Sequence, residues 1–356
     1  MSIPTFFLTW YSTVVMSNFI INARNVTANK RRRHMKRIVV ILLSLVIVTG
    51  GLVGCSNQPK INIVSKSSDS SEMPGKEAAF PRTYIDSKGN KIIIEKQPQR
   101  IAMVAFPLVE TMFALNAPPV AAPQVTVMSQ WDSLKPYLAA NSLIDLGSQT
   151  SINLEKLLDV EPELIIGTRY NEEIYDELSK IAPVVLLDTQ PLSLDWRSVP
   201  REIAKVIGKE QDAEARIAQL EWLIVQSRDK LLPYQKETFA FLALADKGSF
   251  GIFGKQNYPA YFDDQSGLGL HAPNGYPERT GRISLERLAE LNPDHIFLMK
   301  VPGIEKKLED LKGNSIWSAL QAVKGGHVYF VDRSGFTVGI VATEYGVKSV
   351  VKTLTK

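Results

Sequence analysis

The chain is expected to fold as an α/β protein, two similar α/β lobes joined by a single long helix. Three observations carry that expectation. Short apolar runs alternate with helical patterns from about Phe80 onward, a pattern at Asn153 to Ile166 recurs at Ser284 to Phe297 with a constant offset of 131, and one long helical segment lies between the copies. Alternation of strand and helix is what parallel sheets covered by helices require.

Residues 1–54 read as a leader. Met35-Lys36-Arg37 supplies a basic start, Ile38 to Val48 carries no charge, and Thr49-Gly50-Gly51-Leu52-Val53-Gly54 supplies small residues before Cys55. That order is the pattern of a secretory signal, and the apolar run is too short for a mature membrane span. A second apolar patch from Phe6 to Val15 and a basic run from Lys30 to Arg33 precede it, so the start of translation is expected at Met35. Leu52-Val53-Gly54-Cys55 resembles the bacterial lipobox, in which the cysteine takes diacylglycerol and becomes the first mature residue. Cys55 is the only cysteine, which excludes an internal disulfide, a thiolate cluster or a dithiol redox pair. Residues 55–79 are Ser-, Asn- and Lys-rich and read as a lipidated cysteine followed by a flexible tether.

The formal charge of +4 suggests nucleic acid until its location is traced. Seven of the 41 basic residues and none of the 37 acidic ones lie in residues 1–54, which leaves 34 basic against 37 acidic afterwards. The mature chain is mildly acidic, and nucleic acid is excluded as a partner.

The N-terminal lobe spans residues 80–211. It opens on a hairpin, with β-rich runs either side of the polar Asp86 to Asn90 turn. Arg100 to Ala105, Glu163 to Ile166 and Val184 to Leu187 read as buried strands, and Leu108 to Leu115 as a helix. From Asp212 to about Leu232, Ala213, Ile217, Leu220, Ile224 and Leu231 follow helical spacing until Pro233 stops them, so residues 212–234 form the connecting helix. Residues 235–356 make the C-terminal lobe, with buried strands at Phe239 to Leu244, His295 to Met299 and His327 to Val331. In the repeat, Asn153 and Ser284 are good N-caps, the following residues form a short amphipathic helix, and Pro162 and Pro293 end it ahead of a strand.

Two such lobes leave a cleft at the strand ends, the usual place for a small ligand. Pro98 to Leu115, the two repeat copies, Leu178 to Val184 and Ala322 to Tyr329 together resemble the iron–siderophore substrate-binding proteins of ABC importers. The resemblance covers nearly all of residues 80–356. It implies a helical-backbone periplasmic-binding-protein clamp that is lipid-anchored at Cys55, faces the extracytoplasmic side of the cell membrane and acts as a monomer. It also implies docking onto an ABC permease with its cytoplasmic ATPase, and it carries the docking carboxylates onto Glu155 and Glu286. The ligand so implied is an Fe(III)-siderophore, hydroxamate type first, with haem or cobalamin as alternatives. The chain needs no cofactor of its own and no metal ligands, because the siderophore's oxygens hold the iron.

Loops after strands supply candidate ligand contacts: Arg169 and Tyr170 in the first lobe, and Lys247, Phe250, Tyr258, Tyr261, Arg333 and Phe336 in the second. Basic groups suit oxygen-rich chelates and aromatics cover apolar arms. Trp196 and Trp222 read as packing residues, and Trp131 as a possible cleft lining. The family's Trp-containing terminal loop is replaced by Ser334 to Gly339. A bare transition-metal importer would use several histidines, whereas only His271, His295 and His327 follow the leader, and His295 and His327 begin buried strands. An exported enzyme is the reading from a different class. Gly248, Gly251 and Gly254-Lys255 have the wrong spacing for a phosphate loop, Gln256 stands where Ser or Thr would hold Mg²⁺, and no nucleophile elbow or zinc motif occurs.

Overall fold

The computed structural model describes residues 80–189, 195–245, 248–337 and 339–356, all within one compact unit. The leader, Cys55 and the tether lie outside the described residues. Among the described residues no helix is long and apolar enough to cross a membrane.

Strands β1 (Arg82–Ile85) and β2 (Lys91–Ile94) form the opening hairpin, with Ile85 opposite Lys91. Asp86 closes the turn by accepting from the backbone N–H groups of Lys88 and Asn90 at 2.9 and 2.8 Å. A short carboxylate reaches its own backbone in this way, which is why Asp suits turns.

The first lobe continues through β3 (Ile101–Met103), α1 (Val109–Ala114), β4 (Ala121–Ala122), β5 (Ile144–Asp145) and the small ribbon β6 (Gly147–Ser148) and β7 (Ser151–Ile152). Then come α2 (Leu154–Asp159), β8 (Leu164–Thr168), β9 (Val184–Leu187) and α3 (Ser198–Ile207). Its sheet runs β5-β4-β3-β8-β9, every pair parallel. Strands β3, β8 and β9 are buried along their whole length, as helices on both faces of a parallel sheet require.

Helix α4 (Glu210–Leu231) follows, 22 residues or about 33 Å long. Ala213, Ile217, Leu220, Ile224 and Leu231 are all buried along it. Trp222 is not: it is 65% exposed, which corrects its reading as a packing residue. It lies two residues past Leu220, about 200° around the helix, so the rotation that buries Leu220 must turn Trp222 to solvent. Leu220→Ala is therefore expected to cost about 2–5 kcal/mol in urea unfolding, and Trp222→Ala about 0.5 kcal/mol or less.

The second lobe holds β10 (Phe239–Leu244), β11 (Phe250–Ile252), β12 (Gly281–Ile283), α5 (Leu285–Leu291), β13 (His295–Lys300), β14 (Val328–Asp332) and α6 (Ile340–Leu354). Its order is β12-β11-β10-β13-β14, with β10, β13 and β14 parallel and β11 and β12 antiparallel additions. Strand β14 reads as buried in the sequence, yet only Val331 is buried, because β14 is the edge of its sheet.

The repeat is structural. The Asn153 side chain accepts from Lys156 N–H at 2.9 Å and Ser284 from Arg287 N–H at 3.2 Å, each capping its helix. Each copy then turns through a left-handed residue just ahead of its proline, Glu161 (φ 43°) and Asn292 (φ 39°), and enters a sheet strand, β8 or β13. Equal backbone conformations 131 residues apart show the two lobes to be versions of one unit.

Candidate ligand-binding cleft

The lobes meet where the end of β14 in the second lobe faces the turn at Asp132 and Ser133 in the first. The Asp132 N–H donates to Asp332 Oδ1 at 3.1 Å, the Ser133 N–H to Ser334 Oγ at 3.3 Å, and the Tyr345 hydroxyl to Asp132 Oδ2 at 3.4 Å. Asp332 and Ser334 flank Arg333, so these contacts place Arg333 at the lobe junction. Arg333 is partly exposed as a residue, and burial holds its guanidinium below the usual arginine range while the adjacent Asp332 opposes that effect.

Arg169 begins directly after β8 in the first lobe and is also partly exposed. Its guanidinium carbon lies 5.4 Å from the centre of the Tyr170 ring, and Tyr170 is 47% exposed. The turn beneath is anchored by buried Asn171, whose Oδ1 accepts from Thr168 N–H at 3.0 Å. After β3, buried Gln149 accepts from Phe106 N–H at 3.1 Å, and the Phe106 ring meets Trp131 edge-on at 5.3 Å. Trp131 is 8% exposed, so it packs under the strand ends and does not line the cleft.

The other aromatic expectations are corrected by where the side chains lie. Phe250 belongs to β11, is fully buried and stacks on Trp317 at 5.8 Å. Phe336 is buried against Phe253, 4.9 Å between ring centres. Tyr261 stacks on Phe241 at 4.6 Å and donates its hydroxyl to the Gly335 carbonyl at 2.5 Å, while Tyr258 donates to the Phe336 carbonyl at 2.6 Å. The cavity that both tyrosines border measures about 20 Å³, room for one water and not for a chelate. The physical reason is shared: β11 and the turn after β14 need large side chains to fill the second lobe's core. Tyr258 and Tyr261 act on the cleft indirectly, by fixing the carbonyls of the turn that carries Arg333. Lys247 lies outside the described residues.

A larger groove of about 500 Å³ opens between α1, α4 and α6 and is lined by Phe113, Tyr137, Asp212, Arg216, Gln219 and Glu344. Neither Arg169 nor Arg333 lines it, so it is separate from the cleft.

Glu155 and Glu286 stand in the first turns of α2 and α5, both exposed. A hydrogen bond from the Ser284 hydroxyl holds the Glu286 carboxyl below the usual range, so Glu286 carries its charge throughout the physiological range. His295 is buried and hydrogen-bonds Glu237 through Nε2 and the Tyr329 hydroxyl through Nδ1 at 3.2 Å; His327 donates to the Asp294 carbonyl at 3.2 Å. Among the described residues no group of three or more His, Cys, Asp or Glu could hold a metal ion.

Two α/β lobes, a connecting helix and a junction at the strand ends match a family pattern: residues 102–334 correspond to the periplasmic binding proteins. The chain belongs to that family. Among its curated relatives, the Fe(3+)-citrate-binding protein YfmC of Bacillus subtilis is 25% identical over 328 residues, which cover 90% of this chain and 98% of YfmC. The iron(3+)-hydroxamate-binding protein FhuD of Bacillus subtilis is 28% identical over 311 residues, 85% of this chain and 92% of FhuD. The crystal structure of the Bacillus subtilis iron-uptake system-binding protein FeuA superimposes with a TM-score of 0.61 at 24% identity, covering 77% of this chain and all of FeuA. As a periplasmic binding protein, the chain has the two-lobed α/β fold that the sequence predicts. Sequence reading missed the polar contacts between Asp132, Ser133, Asp332 and Ser334, and the burial of Glu110 on α1. No local signal marks them, since the partners lie some 200 positions apart.

Proposed function

We propose that this protein is the extracytoplasmic binding lipoprotein of an ABC importer, capturing an Fe(III)-siderophore and presenting it to the membrane permease. The observation that carries this reading is the placement of Arg169 and Arg333 at strand ends of opposite lobes, both partly exposed. A ferric chelate presents oxygens on all sides, and a guanidinium donates charge-assisted hydrogen bonds to such oxygens. One cation on each side engages the same ligand only when the lobes face it together. The siderophore holds the iron, so no protein ligand to the metal is called for. Capture involves no covalent step, and the ATPase beyond the membrane drives release. Cys55 carries the lipid, Glu155 and Glu286 face the permease, and a monomer suffices.

Hydroxamate siderophores are the first class, as the sequence suggests and as FhuD's name supports. The arginine pair, with four aromatics withdrawn into the core, favours an anionic carboxylate or catecholate chelate as the second reading, and YfmC is named for ferric citrate. Fluorescence titration of the mature protein against ferric hydroxamate, citrate and catecholate chelates decides the class, with iron-free siderophores, haem and cobalamin as comparisons. Saturable quenching is expected with at least one ferric chelate and weaker binding of its iron-free form. Tight binding of haem or cobalamin with none of ferric chelates overturns the reading.

A further inference from the structure

Glu110 is a charged residue type in the interior, 4% exposed on α1 of the first lobe. Its Oε2 accepts from the Ala342 N–H at 2.9 Å, in the first turn of α6 of the second lobe, and the Val341 N–H is also directed at the carboxylate. A carboxylate at this place meets the unpaired N–H groups and positive end of a 15-residue helix. Gly339, the N-cap of α6, allows the approach: a Cβ there would stand 1.5 Å from Glu110 Oε1. The contact thus ties the first lobe to the start of α6, whose N-cap Gly339 is six residues after Arg333.

We propose that Glu110 is a positioning residue for the cleft: its carboxyl seats the start of α6, and with it the turn that bears Arg333, against the first lobe, and proton uptake by that carboxyl firms the seat. This rests on the reading of Arg333 as a ligand contact.

The surroundings support a proton-dependent seat. Burial raises the Glu110 carboxyl from about 4.5 to about 7, opposed by the Ala342 and Val341 N–H groups and by Arg216. Arg216, on α4, is the cation facing it and is itself paired with Glu344 of α6, which also pairs with Lys348. Helix α3 turns Val199, Ile203, Val206 and Ile207 inward, and its Arg201 and Glu202 pair with Glu214 and Lys205. Helix α1 carries no other charged side chain. A carboxyl raised in the folded state stabilises that state fully below its ordinary value, and the contribution is lost as pH rises through about 7. The seat should therefore be firmer in mildly acidic than in alkaline medium, by about tenfold in its closing equilibrium between pH 8 and pH 6.

The test compares the full mature protein with Glu110→Gln, which keeps an acceptor for Ala342 and cannot titrate, and with Gly339→Ala, which displaces the carboxylate. Without ligand, hydrogen exchange at the Val341, Ala342 and Thr343 amides, corrected for intrinsic rate, is expected to slow about tenfold from pH 8 to pH 6 in the unaltered protein. It should be independent of pH in Glu110→Gln and fast at both values in Gly339→Ala. Dissociation of a ferric hydroxamate or ferric citrate probe is expected to slow over the same pH interval only where Glu110 is present. Equal pH responses in the unaltered protein and Glu110→Gln overturn the proposal. If neither probe binds, the siderophore reading fails, while the exchange arm still decides whether Glu110 seats the start of α6.

Discussion

Cells whose only copy carries Glu155→Lys and Glu286→Lys are expected to lose ferric-siderophore uptake, while the purified double variant binds its ligand with unchanged affinity. Both carboxylates are exposed in first helical turns, at equivalent positions of the repeat, so neither substitution removes a buried contact. A glutamate in a first turn also favours its own helix through the dipole, by a few tenths to about 1 kcal/mol, and reversal forfeits that. Such a loss lowers stability slightly without unseating the protein from its permease. If the permease surface that receives these carboxylates is basic, as the proposed docking requires, placing a lysine against it costs several kcal/mol per site, and about 1.4 kcal/mol is tenfold in affinity. Two sites together are expected to lower uptake by about a hundredfold or more. Transport of labelled ferric siderophore beside titration of the purified protein separates the two effects, and unchanged uptake counts against docking at these residues. Glutamine variants should fall between, since they remove attraction without adding repulsion.

Removing both cleft cations should produce the opposite pattern. Arg169→Ala with Arg333→Ala is expected to weaken ligand binding far more than it lowers the melting temperature, because both residues are partly exposed at strand ends. A hydrogen bond to a charged group contributes about 1.5–3 kcal/mol, so each arginine accounts for about ten- to a hundredfold in affinity. Arg333 is expected to contribute more than Arg169, because its partly desolvated charge interacts through a less polarisable surrounding. Lysine at either position should recover part of the loss for a carboxylate chelate, which needs charge, and less where planar two-point donation is required. Titration of the single and double variants with the tightest-binding chelate measures this; wild-type affinity in the double variant would remove the arginines from the site.

The contrast between those arginines and the buried aromatics shows where local reading stops. Tyr258, Tyr261, Phe250 and Phe336 all follow or flank strands, as ligand contacts do, and polarity alone cannot tell an aromatic that faces a cleft from one that fills a lobe. The direction of Phe250 depends on the β10–β11–β12 pairing, which the five residues between Leu244 and Phe250 do not announce in the sequence. Trp222 failed for a simpler reason, since its side of α4 is set by its angle from Leu220 and could have been read from the spacing.

The sequence by itself determined the strand–helix alternation, the connecting helix and the repeated cap, helix, proline and strand, because each rests on residues within a few positions of one another. It also placed Glu155, Glu286, Arg169 and Arg333 at helix starts and strand ends. Only the tertiary structure decided that Glu110 reaches the first turn of α6, that Asp132 and Ser133 meet Asp332 and Ser334, and that two tyrosine hydroxyls hold the turn bearing Arg333. Those contacts join residues far apart in the chain, and their partners are chosen by how the two lobes pack, a quantity to which no short stretch of sequence is sensitive.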